Sequence, residues 1–169
     1  MSNENEKLTQ GAKANKTGQI FENMMIPLFQ GNGYAIFTEK EIEQKPQLLN
    51  GINKYVVKNS KYTTIYNHTG RTEFVIYNLY QDRSIRVENK HQGAPGSVDE
   101  KYVYTLMNAL LAYPEKEAII VFDGGGWKKG CLDFLQKMID ENWFNHQARI
   151  KVKIMSVSQF INFINNDLK

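Results

Sequence analysis

The sequence predicts a mixed α/β domain, with one central sheet and helices on both faces. Three observations carry that expectation. Strand-like runs fill the middle of the chain, strands and helices alternate after it, and Ala118–Phe122 (A-I-I-V-F) is continuously apolar. An unbroken apolar run marks a strand covered on both faces, and strand–helix alternation favours layered α/β packing.

The elements follow in order. Residues 1–16 are polar and read as a flexible N-terminal arm. Over Thr17–Phe29, Ile20, Phe21, Met24, Met25 and Leu28 recur at helical spacing, with Pro27 and Gly31-Asn32-Gly33 at the end. Tyr34–Thr38 is a short strand. Glu39–Lys61 is mixed in character, holds Pro46 and Gly51, and predicts loops and a short helix. Tyr62–Asn67 is rich in Thr, Ile and Tyr and reads as a strand that Gly70 breaks. Thr72–Leu79 and Ser84–Gln92 are further strands, and Gln81-Asp82-Arg83 between them is short enough for a hairpin. After the Gly93-Ala94-Pro95-Gly96 loop, Ser97 opens a helix that buries Val98, Tyr102, Leu106, Ala109, Leu110 and Tyr113 before Pro114 stops it. Ala118–Phe122 follows, then a turn at Asp123-Gly124-Gly125-Gly126. A helix over Lys129–Glu141, a strand over Ile150–Met155 and an amphipathic helix over Ser156–Leu168 complete the chain. Residues 17–169 thus form a single domain, long enough to bury a core without disulfides or structural metal.

Composition excludes little. The net charge is +3, mildly basic, so a basic face matters more than the sum. One cysteine, Cys131, allows no internal disulfide and fits a reducing compartment, the cytoplasm. The N-terminus lacks the apolar core of a signal peptide, and no run reaches the ~20 apolar residues of a membrane span.

The chemistry concentrates in Arg71–Gln92. Two strand-like runs each carry one acid, Glu73 and Glu88, and Lys90 follows the second by two positions. Residues i and i+2 of a strand share a face, so Glu88 and Lys90 project together, with Arg86 before and Gln92 after. With the Glu73 strand alongside, two carboxylates and an ammonium converge, which suits a divalent cation held against a phosphate. The plainer reading of Glu88 and Lys90 is a same-face surface pair, and Glu73 would then pair with Arg71 or Arg86. His91 alternates to the other face. His68 and His146 stand alone and make no zinc set. The Asp123 turn lacks the G-K-[ST] ending of a phosphate loop and reads either as a backbone approach to DNA or as a glycine turn anchored by Trp127.

A strand with an acid, a strand with E-x-K and a helix after them resemble the PD-(D/E)XK nuclease superfamily. The resemblance is most specific over R-V-E-N-K-H-Q-G-A-P-G-S-V-D-E-K (Arg86–Lys101) and I-I-V-F-D-G-G-G-W-K (Ile119–Lys128). It implies a restriction-endonuclease-like fold and metal-dependent cleavage of DNA. By position, Glu73 and Glu88 would ligate Mg²⁺, with Mn²⁺ a possible substitute, and Lys90 would orient or deprotonate the attacking water. Gln92 matches the polar residue after the lysine, and Glu22 an acid of the first helix used for positioning or a second metal. The Asn89 carbonyl, between the two side chains, could supply a further metal ligand. Glu73 departs from the pattern, since most members carry Asp there. Its extra methylene would move the metal outward unless the strand is displaced.

DNA is the expected partner. Lys16, Lys101, Lys128 and Lys129 are candidate phosphate contacts, as are Lys13, Lys54, Lys58 and Lys61. Cutting both strands takes two copies of a small nuclease, so a homodimer is expected. A type II restriction endonuclease is the leading expectation. The alternatives are a structure-specific repair, recombination or junction-resolving nuclease, and a catalytically inactive DNA-binding module.

Overall fold

The structure, a computed structural model, describes residues 10–93 and 99–169, with backbone alone at 10–18, 99 and 100. Six strands form one sheet in sequence order. They are β1 (Ala35–Thr38), β2 (Lys54–Thr63), β3 (Thr69–Asn78), β4 (Arg83–His91), β5 (Glu117–Asp123) and β6 (Lys151–Ser156). β2–β3 and β3–β4 are antiparallel, whereas β1–β2, β4–β5 and β5–β6 are parallel. Helices α1 (Gln10–Gly31), α2 (Glu39–Gln44), α3 (Asp99–Leu111), α4 (Lys129–Asp140) and α5 (Val157–Asp167) complete the order. The expected α/β sandwich is present.

Two cores flank the sheet. Phe21, Met25 and Phe29 of α1 and Phe160, Phe163 and Ile164 of α5 pack on Phe74, Ile76, Ile85, Val87, Ile119 and Val121. On the other face, Tyr102, Leu106 and Leu110 of α3 and Leu135, Met138 and Ile139 of α4 pack on Ala118, Ile120 and Val152. β5 sends alternate residues into both cores, which is why its sequence is continuously apolar.

Several boundaries differ from expectation. α1 starts at Gln10 and continues through Pro27 to Gly31. Its buried stripe is Phe21, Met25 and Phe29, while Ile20 and Met24 face outward. A longer helix rotated toward the ring cluster buries the i, i+4, i+8 series Phe21, Met25 and Phe29, since Phe21 and Phe29 both pack on Phe74 and Phe160. β2 runs through the segment expected to be irregular. Its Tyr55 stacks on Tyr77 of β3, with centroids 4.7 Å apart. The strand expected over Tyr62–Asn67 exists only at its first two residues; Thr64–His68 is the hairpin turn, closed by the left-handed Asn67 (φ 59°). Gly70 sits inside β3 rather than ending a strand. It faces Tyr62, whose ring would lie 2.6 Å from an added Cβ, so only glycine admits that ring. The Ser97 helix start, Val98 and part of the G-S-V-D block lie outside the described residues.

Candidate active site

The site begins where strand alternation breaks. Asn59 of β2 is left-handed (φ 52°), and the β2–β3 ladder skips it and its partner position, Glu73. Phe74 buries in the α1–α5 core, yet Thr72, two residues away, turns its hydroxyl to Arg86 beside Tyr62 and Tyr113 on the opposite face. Alternation would put both on one face. The kink between them leaves Glu73 aimed along the sheet, not out of it.

It is aimed into a fork. The β3–β4 ladder ends at Phe74 opposite Val87, and β4 continues beside β5 alone, from Glu88 opposite Ile120 to His91 opposite Asp123. The Asn89 N–H, which would have continued the β3 ladder, donates instead to Glu73 Oε2 at 2.7 Å. The Glu73 carboxyl thus spans the gap between the parting strands. The N–H and C=O of one strand residue point to the same side, so the Asn89 carbonyl also faces the fork. Glu88 is buried, and its Oε1 accepts from Lys90 Nζ. Its other oxygen, Oε2, is buried without a partner among the described residues.

The electrostatics are those of two carboxylates short of positive charge. Burial, then the Glu88 carboxylate, pushes Glu73 up from 4.5 to about 8, against the pull of Lys90 and the Asn89 N–H. Burial opposes the Lys90 ammonium, but Glu88 and Glu73 outweigh it and raise its pKa, so Lys90 stays charged. The raised Glu73 value predicts a stability slope in the metal-free protein. Between about pH 5 and 8 the native state holds a proton that the unfolded state has lost, so stability falls as pH rises. Urea melts in chelator should show that fall, and Glu73→Gln, which cannot ionise, should flatten it.

The donor set fits a hard divalent cation. It comprises two carboxylates, one with a buried oxygen lacking a partner, and a strand carbonyl, and Mg²⁺ takes its remaining ligands from water and phosphate. Among the described residues, no group of three or more His, Cys, Asp and Glu side chains is placed to hold a metal. A two-carboxylate site therefore depends on its carbonyl and on substrate.

The other expected residues divide. Gln92 is buried at the end of β4, with neither side-chain polar atom partnered among the described residues. Its backbone is latched by the glycine turn: Gln92 N–H donates to Asp123 O at 2.9 Å, and Gly126 N–H to Gln92 O at 2.8 Å. A Cβ on Gly124 (φ 86°) would lie 2.4 Å from Gln92 O. With the Trp127 indole donating to Asp123 O at 2.8 Å, the turn serves as an anchored latch for the site strand. Glu22 is bound by Lys58 at 2.6 Å, and Lys58 stands opposite Phe74, next to Glu73. Lys54 lies at the other end of the sheet, bonded to Asn32 O. Lys61 is drawn to Glu39 at 3.5 Å. Lys101, Lys128 and Lys129 fall at the starts of α3 and α4, which leave the same sheet end as the fork. Lys16 lies in the stretch of α1 whose side chains are not described. His91 points outward and meets Asp123 at 2.9 Å.

Sequence reasoning placed Arg86 on the site face with Glu73 as a possible partner, and missed its real partner, Glu115. Its guanidinium makes a bidentate pair with Glu115, both bonds at 2.7 Å, and reaches Ser60 O, Lys61 O and Thr72 Oγ1 at 3.0, 3.2 and 2.9 Å. All five N–H donors are used, and two consecutive carbonyls of the kinked strand turn to one group. The signal was an arginine between Ile85 and Val87, since a charge among buried strand residues requires a partner.

A mixed sheet whose parting strands present two carboxylates and a lysine has the architecture of a restriction-endonuclease-like nuclease domain. A family profile, the PD-(D/E)XK nuclease superfamily domain, matches residues 13–168, and the chain belongs to that superfamily. Its members typically use divalent metals, and a nuclease domain implies a nucleic-acid substrate. No curated protein and no solved structure matches the chain significantly. No described helix is long and apolar enough to cross a membrane.

Proposed function

We propose that this protein is a metal-dependent DNA endonuclease, and that a type II restriction endonuclease acting as a homodimer is its role. The supporting observation is the convergence of Glu73, Glu88 and Lys90 at the β3–β4 fork. Glu73, Glu88 and the Asn89 carbonyl would hold Mg²⁺, with Mn²⁺ able to substitute. When bound, the cation polarises a phosphoryl oxygen and acidifies its water. Lys90 enters as an ammonium, so it donates to the attacking water or to a phosphate oxygen and offsets negative charge on the phosphorane. Gln92 supports the strand end from within, and Glu22 acts from α1 through Lys58.

The test is cleavage of plasmid and phage DNA by purified protein. Mg²⁺ or Mn²⁺ should give saturable cleavage, and chelator should stop it. Cleavage indifferent to metal, or none at any metal concentration, would sink the proposal. Linear duplex against branched DNA separates a restriction enzyme from a structure-specific nuclease.

A further inference from the structure

The β2–β3 hairpin extends past the catalytic fork. Thr69 begins β3 four residues before Glu73, so the turn lies about 13 Å beyond it along the strand. Tyr66 occupies that turn with 70% of its surface exposed, the second largest exposure among the large hydrophobic residues described. Its ring stacks on Tyr104 of α3, with centroids 5.1 Å apart and planes 22° apart, and His68 lies beside it at 6.4 Å.

This surface is rigidly built. The buried Asn108 side chain of α3 accepts from Ile65 N–H at 3.0 Å and ties the turn to the helix. Thr64 N–H closes the turn on His68 O at 2.9 Å, and Thr64 Oγ1 meets His68 Nδ1 at 3.1 Å. The shelf shares its hairpin with the strand that carries Glu73. Tyr62, between them, packs edge-on against Tyr113 with centroids 4.8 Å apart. Lys61 and Arg71, the next pair along the hairpin, alternate to its other face, where Lys61 meets Glu39 and Glu43 of α2.

A rigid ring with one face packed and the other in water costs little entropy to stack upon. In a protein that acts on nucleic acid, the natural occupant is an unpaired base, because every base has a π-face and duplex bases are covered by their neighbours. The geometry points to Tyr66, backed by Tyr104, as a stacking platform for an unpaired nucleobase of the substrate strand, a few nucleotides from the catalytic fork.

This inference rests on the nuclease reading and, because it needs an unpaired base, on its structure-specific form rather than the duplex-cutting one; the test separates the platform from the nuclease. A labelled single-stranded oligo-dT and a blunt duplex of equal length are titrated with the full chain by fluorescence anisotropy. Ca²⁺ replaces Mg²⁺, and a gel afterwards checks that each probe is intact. Tyr66→Ala should weaken oligo-dT binding by about tenfold, the effect of losing one stacked base, and duplex binding by less than about twofold. Tyr66→Trp should retain wild-type affinity. Unchanged oligo-dT affinity in Tyr66→Ala, or equal losses on both probes, would overturn the platform while leaving the nuclease reading intact. A wild-type protein that binds neither probe would overturn the platform, and one that also leaves plasmid and phage DNA uncut with Mg²⁺ would overturn both.

Discussion

Lys90→Ala should lower DNA cleavage by at least about 10³-fold, the scale on which a single preorganised charge acts at a reacting centre. Among the described residues, Lys90 is the one cation bonded to Glu88, and its charge also acts on Glu73. Removing it takes the ammonium from the point where phosphate charge must be met. The fold should survive. The Lys90 side chain is 30% exposed, so its loss opens the largely buried Glu88 to water and to a proton, and stability should fall by less than the ~3–5 kcal/mol of a fully buried pair. DNA affinity measured with Ca²⁺ should remain close to wild type. Plasmid nicking, a thermal melt and an anisotropy titration on one preparation decide the matter. A fall in stability matching the fall in rate would make Lys90 a structural residue.

Glu115→Ala should be the most destabilising of the simple truncations near the site. Arg86 and Glu115 are both almost fully buried, and the substitution leaves a guanidinium inside the protein without its counter-ion. Such a loss costs about 3–5 kcal/mol, against a total stability of about 5–15 kcal/mol for a typical domain. Glu115→Gln keeps an acceptor and should cost less. Urea unfolding at neutral pH provides the measurement, and a loss below about 1 kcal/mol would show that Arg86 finds other partners. Arg86 also holds the Ser60 and Lys61 carbonyls and the Thr72 hydroxyl, which frame the kink that aims Glu73. A Glu115→Ala protein kept folded by cold should therefore cleave slowly, with every residue of the fork still present.

The parts of the fold that were legible share one property: their local pattern and their packing agree. Ala118–Phe122 had to be a covered strand, and the spacing of Leu135, Met138 and Ile139 had to be a helix, because nothing nearby competes. β2 was illegible because its packing is supplied from outside. Lys58 is paired by Glu22, Asn59 is kinked, and the strand is held by Tyr77 and Arg86, none of which is near in sequence. The i, i+2 relation of Glu88 and Lys90 was readable for the opposite reason, since two residues of one strand need no tertiary knowledge. The meeting of Glu73 with the Asn89 N–H was expected only in outline. The divergence that permits it depends on a left-handed asparagine and a buried arginine. The glycine turn after Asp123 was left between two roles, and its close approach to Gln92 O supplies the missing reason for Gly124.

The sheet ends in β1, four residues long, on one side, and in β6, which carries the exposed Lys151 and Lys153, on the other. A short strand and a lysine-bearing strand both discourage another chain from adding on. Two copies of this protein would therefore meet through helices or loops rather than extend one sheet into a second. The same borders protect the chain from edge-to-edge aggregation at the concentrations where self-association would be tested.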